Sequence, residues 1–104
     1  MKSSQKKYYS EKLSQKIIET NKYIDFVINS KKITKENFIK IINNSNIFIK
    51  NYNKNLDFLN QGIQINNDIN SILKGLNVPS LEKNLLYILQ LKIQKINTSL
   101  EKII

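Results

Sequence analysis

The chain is 104 residues long, carries a formal charge of +9, and contains neither cysteine nor histidine. Those absences exclude a disulfide framework, a thiolate metal site and the commonest general base and metal ligand. Two glycines and one proline are too few for the many turns of an all-β domain, so one all-α domain is expected.

Residues 1–6 read as a flexible basic tail; no apolar stretch follows Met1-Lys2-Ser3-Ser4-Gln5-Lys6-Lys7, so a secretory signal is not expected. From about Lys7 to Ser30, Leu13, Ile17, Thr20, Ile24 and Val27 recur at alternating spacings of four and three. That spacing places one narrow seam on one side of a helix, which must be buried. Asn29-Ser30-Lys31-Lys32 interrupts it with polar residues. Thr34 then suits an N-cap, Glu36 lies favourably in the first turn, and Ile33 and Phe38 stand where a hydrophobic staple places them.

A second seam runs through Phe38, Ile42, Ser45, Ile49, Tyr52, Leu56, Leu59 and Ile63, predicting a helix over residues 34–75. Beyond Ile63 the register slips to Ile65, Ile69, Ile72 and Leu76, with Gly62 and Asn66-Asn67-Asp68 at the slip. Two forms fit: one helix with a discontinuity, or two helices meeting near residues 61–68. Glycine costs about 1 kcal/mol in a helix interior, too little to force a break, which favours the continuous or merely kinked form. Gly75, Asn77 and Pro79 end the pattern, and Ser80 suits the cap of a last helix to about Lys102, with the seam Leu86, Leu89, Ile93, Ile96, Leu100 and Ile103. Three long helices joined by short connections predict a coiled-coil-like hairpin or small bundle.

The eight acidic residues form no compact pair with a base, and no EF-hand spacing, glycine-rich phosphate loop or nucleophile elbow is present. No catalytic residue, metal site or cofactor is expected, and the chain does not read as an enzyme. Lys, Asn and Ile supply 52 of the 104 residues, while Arg and Ala are absent. Codons rich in A and T account for that bias, and the absence of arginine forks argues against a dedicated nucleic-acid sequence reader. The charge is uneven: residues 1–35 hold nine lysines against three acids. Lys6, Lys7, Lys12 and Lys16 lie among Tyr8, Tyr9, Tyr23 and Phe26, a basic patch suited to an acidic protein or to peripheral contact with an anionic membrane. The longest apolar run, Leu85 to Leu89, is far short of the ~20 residues that span a bilayer, so a soluble cytoplasmic protein is expected.

The seams carry the interaction argument. Thr20 and Ser45 occupy seam positions, where polar side chains lower stability but fix partner and register. Off-seam Ile18, Ile28, Ile39, Ile41, Ile47, Ile65, Leu91 and Ile104 would stay wet in a lone hairpin, so other helical subunits, identical or different, are the expected partners. The candidate interface is Leu13, Ile17, Ile24, Val27, Phe38, Ile42, Ile49, Tyr52, Leu56, Leu59, Leu86, Leu89, Ile93, Ile96 and Leu100. An independently folded basic bundle that binds an anionic partner, nucleic acid among them, is the alternative.

Two resemblances bear on these readings. Leu73-Lys74-Gly75-Leu76-Asn77-Val78, followed by Leu81, Leu85, Lys92 and Leu100-Glu101, resembles the closing helix of small coiled-coil subunits of the complex for biogenesis of lysosome-related organelles. Asn55-Leu56-Asp57-Phe58-Leu59-Asn60-Gln61 is similar to the segment preceding that helix. This likeness covers roughly the last fifty residues and implies a rod-like, non-catalytic subunit in endosomal and lysosomal traffic. In length, charge and helical content the chain also resembles the small basic four-helix proteins that protect bacteriocin producers from their own toxin, though no motif is shared.

Overall fold

The computed structural model describes residues 3–75 and 77–104. Four helices follow one another: α1 (Ser3–Ser30), α2 (Glu36–Lys50), α3 (Leu56–Leu73) and α4 (Ser80–Glu101). α1 packs on α2 and α4, and α3 packs on α2 and α4, which closes a four-membered ring in chain order. Connections of five or six residues join neighbours, as antiparallel up-and-down packing requires. The molecule measures 47 × 25 × 19 Å.

The expected helix over residues 34–75 is two helices, and the break lies at residues 51–55 rather than 61–68. Asn51, Asn53 and Asn55 explain it, because asparagine side chains compete with the helix for backbone partners. Asn55 caps α3: its Oδ1 accepts from the Phe58 amide at 2.9 Å. The restart rotates the buried stripe of α3 onto Phe58, Leu59, Gly62, Ile65, Asn66 and Ile69. Leu56 and Ile63, both expected on the seam, point to solvent. Residues 61–68 run through as regular helix. Gly62 is there for proximity: a Cβ would stand 3.1 Å from the Asn97 Cγ on α4. The Phe48 and Phe58 rings stack at 4.1 Å across α2 and α3, with Tyr52 edge-on to Phe58 at 5.5 Å, so the turn is pinned from inside.

The ends differ from expectation in smaller ways. α1 begins at Ser3, so Ser4, Gln5 and Lys6 are helical rather than tail, and Met1 and Lys2 lie outside the described residues. Lys35, not Thr34, is the N-cap of α2, without a side-chain bond. Pro79, not Ser80, is the N-cap of α4. Thr34 is occupied elsewhere: its amide and hydroxyl both donate to the Glu82 Oε1, at 2.8 and 3.1 Å. That carboxylate is 4% exposed and ties the α1–α2 connection to the first turn of α4. Lys31, just past α1, adopts φ of 53°, the left-handed turn that commonly terminates a helix.

Candidate functional site: a lysine-lined groove between α1 and α4

The seams turn inward. Leu13, Ile24, Val27, Phe38, Ile42, Ile49, Leu59, Leu86, Leu89, Ile93, Ile96 and Leu100 are buried against one another. Ile17 and Tyr52 are half-buried on the same core, and Leu56 alone of the fifteen interface candidates is exposed. Thr20 and Ser45 are buried with them. Burying one such aliphatic side chain stabilises by about 1.5–3 kcal/mol, so no partner reaches these residues without opening the bundle. Ile41 and Ile65, read as off-seam, are core residues as well.

The outer surface is where chemistry can be sought. Tyr9, Lys12 and Lys16 follow one another at spacings of three and four, which puts them on one side of α1. On α4, Leu91 and Lys95 are four apart, as are Gln94 and Thr98, which puts the four on one side of that helix. The two stripes, with the small Ser99 between them, line a groove of about 440 Å³. Three of its side chains end in ammonium groups and none in a carboxylate. Lys16 Nζ lies 3.3 Å from the Glu19 Oε2, an exposed ion pair at the groove's edge. Such pairs contribute at most about 1 kcal/mol and exchange readily for another anion. Lys12 Nζ stands 5.7 Å over the Tyr8 ring. The Thr98 hydroxyl donates to the Gln94 carbonyl at 2.9 Å.

Farther along the same pair of helices, the Tyr23 hydroxyl donates to the Leu85 carbonyl at 2.7 Å. Burial pushes its pKa from 10.0 up to about 12. Lys92 Nζ lies 5.5 Å over that ring, and Phe26 is 6.4 Å from it. Of the four basic-patch candidates, Lys12 and Lys16 line the groove, while Lys6 and Lys7 are exposed one to two turns earlier on α1. Lys95, Gln94 and Leu91 complete the groove from α4, and the sequence alone does not mark them as part of a basic site. Their spacing on α4 was visible, but joining them to Lys12 requires knowing that α1 and α4 are antiparallel neighbours.

Elsewhere the polar residues serve packing. Gln90 Nε2 on α4 donates to the Asn66 carbonyl and the Asn70 Oδ1 on α3. Among the described residues, no group of three or more Asp or Glu is placed to hold a metal ion. No helix among them is long and apolar enough to cross a membrane. No protein-family model, curated protein or solved structure matches this chain.

Proposed function

We propose that the chain is a non-catalytic, free-standing helical-bundle module that works by binding an anionic partner in the cytoplasm. The observation that carries this reading is the α1–α4 groove, where Lys12, Lys16 and Lys95 converge with no carboxylate among the lining side chains. Because the apolar seams are spent on the chain's own core, assembly through heptads would compete with folding itself. A rod-like trafficking subunit is therefore the less favoured of the two resemblances. The small basic four-helix immunity proteins agree better in helix number, length and charge, and toxin protection is the biological setting we favour.

A second reading, in which the chain joins a larger assembly through its outer faces, is favoured by exposed Ile18, Ile47 and Leu56. The first reading is tested on immobilised polyglutamate with a salt gradient. Wild type should be retained, and Lys12→Glu with Lys16→Glu and Lys95→Glu should elute at markedly lower salt with unchanged helical circular dichroism. Equal elution of the two proteins would remove the groove from the account.

A further inference from the structure

We infer that the partner is an anionic phospholipid surface, engaged by the α1–α4 face; this rests on the binding-module reading above. Leu81, Ile88 and Leu91 are spaced seven and three apart, which places them along one side of α4 together with Lys95. All three are exposed, at 50%, 42% and 43%. Across the helix pair, Phe26 is 57% exposed and sits beside Tyr23, whose hydroxyl bonds α4 at Leu85. One face of the bundle thus carries four outward apolar side chains, with lysines between and below them at Lys12, Lys16, Lys92 and Lys95.

Charge sets the sign of the partner and shape sets its kind. An acidic amphipathic peptide would need a continuous apolar cleft, and only Leu91 of the four apolar residues lines the groove. A bilayer surface accepts apolar side chains that stand apart. They sink to the level of the acyl chains while lysine stems extend and keep their ammonium groups among the phosphates. The row from Leu81 to Leu91 is about 15 Å long, so it lies flat on such a surface rather than entering it end-on. Glu19 is the acidic group paired on this side of α1, and it holds Lys16 only through an exposed contact that a lipid phosphate displaces.

The test is flotation of the whole chain with vesicles of phosphatidylcholine alone and of phosphatidylcholine mixed with phosphatidylglycerol. Wild type should float only with the mixed vesicles, and salt should release it. Reversing Lys12, Lys16 and Lys95 to Glu should weaken that binding by about a hundredfold or more. Reversing Lys40, Lys50 and Lys54, which lie on α2 and the turn after it, should weaken it by less than about tenfold despite the same change in net charge. Ile88→Ser with Leu91→Ser should weaken it by about tenfold, which purely electrostatic adhesion would not produce. Circular dichroism confirms that each variant is folded. Equal losses from the two lysine sets, or no preference for phosphatidylglycerol, would overturn the inference. Retention on polyglutamate without vesicle binding would overturn it and leave the binding-module reading standing; failure of both would remove both.

Discussion

Tyr23 has a structural duty that titrates. Its hydroxyl holds the Leu85 carbonyl at 2.7 Å, and only the protonated phenol can donate that bond. The folded pKa is about 12 against 10.0 for the free side chain, so the folded state keeps its proton where the unfolded state has lost it. The contribution is complete below pH 10 and falls away as pH rises from 10 to about 12. Tyr23→Phe should cost about 1 kcal/mol at neutral pH by urea unfolding, and the gap to wild type should close across that alkaline window. Thr34 teaches a related lesson about legibility. Its position and chemistry suited a local cap, and nothing nearby in the chain named Glu82, 48 residues away, as the acceptor that claims it. Hydrogen bonds of such span are set by which helices become neighbours.

At the scale of elements, the decisive feature is the turn at residues 51–55. Spacing alone ran through it, because Ile49, Tyr52, Leu56 and Leu59 keep the helical rhythm across the gap. The asparagines at 51, 53 and 55 were the signal that outranked the rhythm, and Asn55 delivers it as a cap. Asn55→Ala should therefore cost about 1 kcal/mol in urea unfolding. Asn53→Ala, an exposed side chain in the same turn, should stay within about 0.5 kcal/mol of wild type. The opposite outcome would mean that the break is held by the Phe48–Phe58 stack alone. The boundaries around residues 31–35 and 74–79 were legible because breaks in the apolar pattern, with Gly75 and Pro79 at the second, coincide there.

For the whole molecule, the all-α class and the core were readable from periodicity, since the seam residues of α1, α2 and α4 are those that become buried. What periodicity does not encode is whom a seam faces. A narrow stripe looks the same whether it meets another chain or the next helix of its own. With α2 and α3 separate, the four stripes close on each other, while the off-seam Ile18, Ile28, Ile39, Ile47, Leu91 and Ile104 stay exposed. The groove was half legible: Lys12 and Lys16 stood out in the basic first third of the chain, whereas Lys95 joins them only once α4 lies against α1.

One chain completes its own core, and solution mass by light scattering with thermal unfolding at two protein concentrations checks this. A self-contained bundle gives a mass near 12.2 kDa and a melting temperature that does not move with concentration. As an internal control, Ile96→Asp should abolish folding, while Ile47→Asp, 58% exposed, should leave mass and melting close to wild type. A larger particle, or a melting temperature that rises with concentration, would mean that the chain folds only in company and would contradict the account.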